Sequence, residues 1–199
     1  ADQVTPPQLM SALRTIEKKG TYETAKRLAQ VLHGVFHLAF LNGCITSNPA
    51  VGLTKGLTSP VQKSRAAITD PAKIGALLRA IDGYEGRGLT RLALQLAPLV
   101  FVRPGELRHM EWAEVDFERA EWRIPGAKMK MNDEHVVPLS RQALEILEKA
   151  KEVTVGGSFV FPSVRTSQKA MSDNTLNAAL RSLGFSKEEM TAHGFRAMA

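Results

Sequence analysis

Residues 44–68 divide the chain. They hold Pro49, Gly52, Gly56 and Pro60, several Ser/Thr, and as charges only Lys55, Lys63 and Arg65. Such a composition favours an exposed, mobile connection between domains over a packed element. The chain is therefore expected to fold as separate pieces on either side, and 199 residues leave room for one large domain and a smaller neighbour.

In front of this segment the pattern is helical. Leu9, Leu13 and Ile16 keep helical spacing behind Thr5-Pro6-Pro7, and Gly20 stops the run. Thr21 is placed to cap a longer helix reaching about Asn42, with a broad apolar stripe through Leu28, Val31, Leu32, Val35, Phe36, Leu38, Ala39 and Phe40. Two helices joined so tightly make an α-hairpin, too thin a core alone, so residues 1–43 are expected to be part of a larger helical domain.

Behind the segment, Thr69-Asp70-Pro71 is a strong helix start. Helices are expected over 70–82 and 87–101, the second mostly apolar and kinked or stopped early by Pro98. After residue 111 the pattern changes. Residues 115–117, 121–125 and 135–139 have the character of short strands, with Asn132-Asp133 supplying turn chemistry before the third. Helices return over 140–152 and 172–183, and another opens near His193. The fold class expected is mainly α with a small antiparallel β-sheet.

The charges point to a polyanion. Net charge is +6, and residues 1–68 carry eight Lys/Arg against three Asp/Glu, whereas 69–199 carry eighteen against seventeen. A basic stretch beside a near-neutral domain is a footprint of nucleic acid binding, although it is also what a solubilising surface looks like. A lone cysteine, Cys44, precludes an internal disulfide and fits a reducing compartment. The longest nearly apolar run, Leu92–Val102, is too short to span a bilayer. A soluble cytoplasmic protein is expected. His33 and His37 stand four apart on one helix, but no third ligand is evident and no metal is expected.

Three segments can carry chemistry. The first is Phe101-Val102-Arg103-Pro104-Gly105-Glu106-Leu107-Arg108, where an arginine ends an apolar helix. The second is Lys128-Met129-Lys130-Met131-Asn132-Asp133-Glu134-His135-Val136-Val137-Pro138-Leu139, with lysines at a strand-to-turn junction. The third is His193-Gly194-Phe195-Arg196, with His and Arg on one helical face. Each alone has a plain reading: an ion pair of Arg103 with Glu106, a solvated hairpin lysine, a structural histidine. In combination, two arginines, a lysine and a histidine can converge on one phosphodiester. Arginine forks fix nonbridging oxygens and balance developing charge, a lysine protonates the leaving alkoxide, and a histidine holds or deprotonates the attacking group.

These segments resemble the tyrosine recombinase (phage integrase) family, and its prophage-integrase branch in particular. The family's first box, Arg followed three residues later by Glu-Leu, matches Arg103, Glu106 and Leu107. Its hairpin lysine, eight residues before the Pro of a Val-Pro-Leu strand, matches Lys130 before Pro138, with Lys128 as the rival. Its His-x-x-Arg box matches His193 and Arg196. Further likeness lies in SDNTLNAAL, in TAHGFRAMA and in the N-terminal GTYETAKRLAQVLHGVFHLAFLNG. The resemblance covers residues from about 5 to 199.

The resemblance implies a partial helical core-binding domain (1–43), a basic interdomain linker (44–68) and a mixed α+β catalytic domain (69–199). It implies a site-specific recombinase that cleaves and rejoins double-stranded DNA at attachment-site core sequences through a 3′-phosphotyrosine. Such enzymes need no cofactor, nucleotide or membrane, and work as homo-tetramers on paired sites when full-length; the setting implied is bacterial and nucleoid-associated. By this carry-over Arg103 and Arg196 clamp the phosphate, Lys130 is the general acid, His193 assists proton transfer and Glu106 orients Arg103. Lys55, Lys63, Arg65 and Lys128 are expected to contact DNA.

One departure matters. The family's nucleophilic tyrosine lies downstream of His-x-x-Arg, whereas the two tyrosines here, Tyr22 and Tyr84, lie upstream. The chain is therefore expected to lack the nucleophile, to be truncated at its C-terminal end and to be inactive alone. The alternative is a noncatalytic double-stranded DNA-binding module.

Overall fold

The computed structural model describes residues 4–59, 64–129 and 132–198. Two residues singled out from the sequence, Lys63 and Lys130, lie outside the described residues. The chain divides into two compact units, Ala1–Lys63 and Ser64–Ala199.

The first unit is helical. Helix α1 (Pro6–Glu17) starts as its sequence predicts, with Pro at its first position and the Thr5 N–H donating to Gln8 Oε1 at 2.8 Å. Gly20, at φ +75°, makes the turn into α2 (Tyr22–Leu41), and the Thr21 hydroxyl caps backward, donating to Ile16 O at 2.9 Å. The core is Leu13, Ala25, Ala29, Ala50, Leu53 and Leu57.

Three of those residues correct the sequence reading, because Ala50, Leu53 and Leu57 come from the segment expected to be an exposed linker. A 3-10 turn at Leu53–Gly56 folds this segment back onto the hairpin. Asn48 Nδ2 donates to His33 O at 3.1 Å, and the Thr58 N–H donates to Glu17 Oε1 at 2.7 Å. The apolar spacing 50, 53, 57 is helical and is masked by Gly52 and Gly56 between and by Pro49 and Pro60 on either side. The stripe on α2 is also wider than the unit covers: Leu32 and Phe36 pack inward, but Val31, Val35 and Leu38 remain 60%, 59% and 63% exposed.

The second unit surrounds α4 (Gly88–Val100), buried through Leu89, Thr90, Leu92, Ala93, Leu94, Leu96, Ala97 and Val100. Pro98 does not stop this helix early; it continues to Val100 and ends where Phe101 turns left-handed at φ 50°. Helix α3 (Pro71–Asp82), α5 (Pro104–Arg108), α6 (Arg141–Val153) and α7 (Thr175–Ser182) accompany it. Asp70 and Ser140 cap α3 and α6 by accepting from the N–H groups of Lys73 and Ala143.

The sheet is antiparallel in the order β1 (Val115–Asp116), β2 (Glu121–Ile124), β3 (His135–Pro138). Trp122 pairs with both Val115 and Val137 and is fully buried, so the hairpin is bolted to the core through its central residue. A 3-10 helix, Ala192–Met198, follows α7 and buries Ala192, Gly194 and Phe195.

Candidate active site

The first box begins where α4 ends. The left-handed turn at Phe101 redirects the chain, Arg103 becomes the N-cap of α5 in an extended conformation, and Pro104 starts the helix. Glu106 then reaches back. Its Oε2 accepts the Arg103 N–H at 2.7 Å, and its Oε1 accepts Arg103 Nη1, also at 2.7 Å. The Glu106 side chain is only 8% exposed, whereas Arg103 is 46% exposed. A buried carboxylate thus sets the direction of a guanidinium that still faces outward.

Lys128 sits on a 3-10 turn just after β2 (126–128). Its ammonium donates to His109 O at 3.2 Å, to Glu111 Oε1 at 2.5 Å, and to Glu114 Oε1. Burial works to lower its pKa, but the hydrogen bonds and charges of Glu111 and Glu114 prevail and hold it above the ordinary lysine value. Lys128 was expected as a DNA contact. It is paired with two carboxylates, because the hairpin brings its base against the 3-10 turn Trp112–Glu114.

The His-x-x-Arg box lies on the 3-10 helix 192–198, where residues three apart are aligned along the axis. His193 and Arg196 therefore share one face more closely than on an α-helix. Burial, then the positive charges of Arg65, Arg196 and Arg103, hold the His193 imidazole below its ordinary pKa. Four of the candidates, Arg65, Arg103, Lys128 and His193, line one cavity of about 1450 Å³, with Arg196 close enough for its charge to act on His193. Lys55 lies in the first unit, exposed on the Leu53–Gly56 turn.

Sequence reasoning missed the residues that hold the box in place. Asn177 on α7 accepts the Ala192 N–H at 2.9 Å, and Arg181, one turn on, donates to Met190 O. Neither could be singled out in SDNTLNAAL, since their partners lie nine to fifteen residues away across a fold-dependent contact. Ala192 is buried, so Asn177→Leu strands its N–H and is expected to cost about 1–3 kcal/mol. Asn177→Asp keeps the acceptor and should recover most of that loss. Urea unfolding followed by tryptophan fluorescence measures both.

A family model described as the phage integrase family matches residues 68–199, and one described as the phage integrase central domain matches residues 1–55. The chain belongs to the phage integrase family. Among curated relatives, the "Integrase" of Enterobacteria phage P4 is 35% identical over 99% of this chain and 48% of its own length. The "Putative protein IntB" of Escherichia coli K12 is 39% identical over 96% of this chain and 51% of its own length. The chain thus spans about half the length of the curated relatives it matches. The fold is shared with a lambda integrase (75–356) dimer solved on a COC′ core site, at TM-score 0.75 and 23% identity over 99% of this chain and 70% of that one. As in the sequence reading, this chain is mainly helical with a small three-stranded antiparallel sheet. No described helix is long and apolar enough to cross a membrane, and no group of three metal-ligating side chains occurs among the described residues.

Proposed function

We propose that this chain carries the phosphate-holding part of a site-specific DNA recombinase that acts through a 3′-phosphotyrosine. The observation that supports this most is the convergence of Arg103 and His193, from segments ninety residues apart, on one cavity that also feels Arg196. A phosphodiester seated there meets two guanidinium forks and a histidine whose pKa is held below its ordinary value. The arginines would offset the charge that builds on the nonbridging oxygens as the phosphorus becomes five-coordinate.

In the proposed reaction a tyrosine hydroxyl attacks phosphorus, His193 receives or positions its proton, and the bond to the 5′-oxygen breaks. Lys130 would protonate that leaving oxygen, a role that rests on the resemblance because the residue lies outside the described ones. One phosphoester replaces another, so the exchange needs no nucleotide to drive it. Tyr84 does not line the cavity, and neither Tyr84 nor Tyr22 is proposed as the attacking tyrosine. The first unit is proposed to grip the same duplex through basic residues such as Lys55, and the full-length protein to act as a homo-tetramer on paired attachment sites.

Duplex binding across a salt series tests this. Log affinity should fall steeply with log salt, and Arg103→Ala should weaken binding and flatten the slope by about one. The 199-residue chain should leave no tyrosine-linked DNA by mass spectrometry. Salt-independent binding, or an adduct on Tyr22 or Tyr84, would overturn the proposal.

A further inference from the structure

Arg65 belongs to the segment expected to be a loose basic linker, but its surroundings are fixed. Ala66 O accepts twice from Thr191, from its N–H at 3.3 Å and from its hydroxyl at 3.1 Å. Gly194 lies against the same stretch: a Cβ there would stand 2.5 Å from Ala66 O and 3.1 Å from Ala67 Cα. Ile68 enters the core of the second unit. Residues 64–68 therefore form a strap across the helix that carries His193 and Arg196, and Arg65 projects from it to line the cavity with Arg103 and His193.

Among the cations singled out from the sequence that line the cavity, Arg65 has no carboxylate partner among the described residues, while Arg181, which also lines it, is turned onto Met190 O. Arg103 is paired with Glu106, and Lys128 with both Glu111 and Glu114. A phosphodiester carries a full negative charge, and cations already matched by carboxylates attract it less than an unmatched one.

We propose that Arg65 is a third phosphodiester-binding arginine of the active site, giving an unpaired fork to a nonbridging oxygen of the phosphate that Arg103 and His193 face. This rests on the recombinase reading and deepens it: the strap brings the phosphate site a ligand from outside both motif boxes. The charged groups that act on His193 are Arg65 from the strap, Arg103 from α5 and Arg196 from its own helix. After burial, Arg65 is the strongest of the influences that lower the imidazole's pKa. A bound phosphate would reverse that influence.

The test compares the 199-residue chain with Arg65→Gln and Arg65→Lys, using a short DNA duplex and NMR of the His193 imidazole, assigned through His193→Gln. Arg65→Gln should flatten the log–log salt slope by about one, and His193 should titrate closer to its unfolded value of about 6.5. Arg65→Lys should keep the slope but bind more weakly, having charge without the fork. Duplex should shift the His193 signals of the parent more than those of Arg65→Gln. If the parent binds with a steep slope and Arg65→Gln matches it, with the His193 midpoint unmoved, the assignment of Arg65 fails alone. If the parent shows no salt-dependent binding, the recombinase reading fails and takes this inference with it.

Discussion

Glu114→Ala is expected to lower the stability of the second unit by about 3–5 kcal/mol, the range for removing one partner of a buried charged network. Its carboxylate is 7% exposed and fully committed. Oε1 accepts from Lys128 Nζ, and Oε2 accepts the Glu111 N–H at 3.2 Å and the Trp122 indole N–H at 3.1 Å. Alanine leaves the indole N–H of a fully buried tryptophan without a partner and Lys128 with one carboxylate, Glu111, besides the His109 carbonyl. Glu114→Gln keeps an acceptor for one of these groups and should lose roughly half as much. Both tryptophans, Trp112 and Trp122, lie in the second unit, so urea unfolding followed by fluorescence reports that unit alone. A loss below about 1 kcal/mol would show that the carboxylate is dispensable there.

Gly194→Val is the second large effect. Position 194 lies inside the His-x-x-Arg box, where a conservative view would expect a small side chain to be tolerated. The space is already taken: the nearest atoms to a Cβ would be Ala66 O at 2.5 Å, Met190 Sδ at 2.9 Å and Ala67 Cα at 3.1 Å. The methionine can yield, but the two backbone atoms cannot without lifting the strap. Overpacking of this kind costs about 1–3 kcal/mol even in a methyl-sized case, and valine should reach the top of that range or beyond. Binding should fall together with stability, because the displaced strap carries Arg65 and its partner helix carries His193. Gly105→Ala is the control, since a Cβ there meets nothing within 4 Å. Equal duplex affinity of Gly194→Val and the parent would mean that the strap does not position the site.

Much of this was legible in the sequence. Proline and threonine at residues 5–7 placed the start of α1, Asp70-Pro71 placed α3, and the strand character of residues 121–125 placed β2. The combination of motifs singled out Arg103 and His193 as residues able to meet, and both line one cavity although they are ninety apart. What escaped depended on tertiary contacts. The composition of residues 44–58 is that of a loop, and only a neighbouring hairpin gives Ala50, Leu53 and Leu57 something to bury against. Lys128 stood out in the sequence as a basic residue, but its pairing with Glu111 and Glu114, 17 and 14 residues earlier, depends on the hairpin that carries it there. Asn177 and Arg181 act through backbone groups, which leave no mark on the composition of the chain.

The 3-10 form of residues 192–198 has a consequence of its own. Three residues of a 3-10 helix complete one full revolution, whereas three residues of an α-helix fall about 60° short. His193 and Arg196 are thus held in angular phase by the winding of a single short helix. Rewinding that turn into an α-helix would leave every atom of both side chains intact and still rotate one about 60° away from the other. The pitch of this segment is a setting for the distance between an imidazole and a guanidinium, and the contacts from Ala66, Asn177 and Arg181 around Met190, Thr191 and Ala192 are what hold that setting.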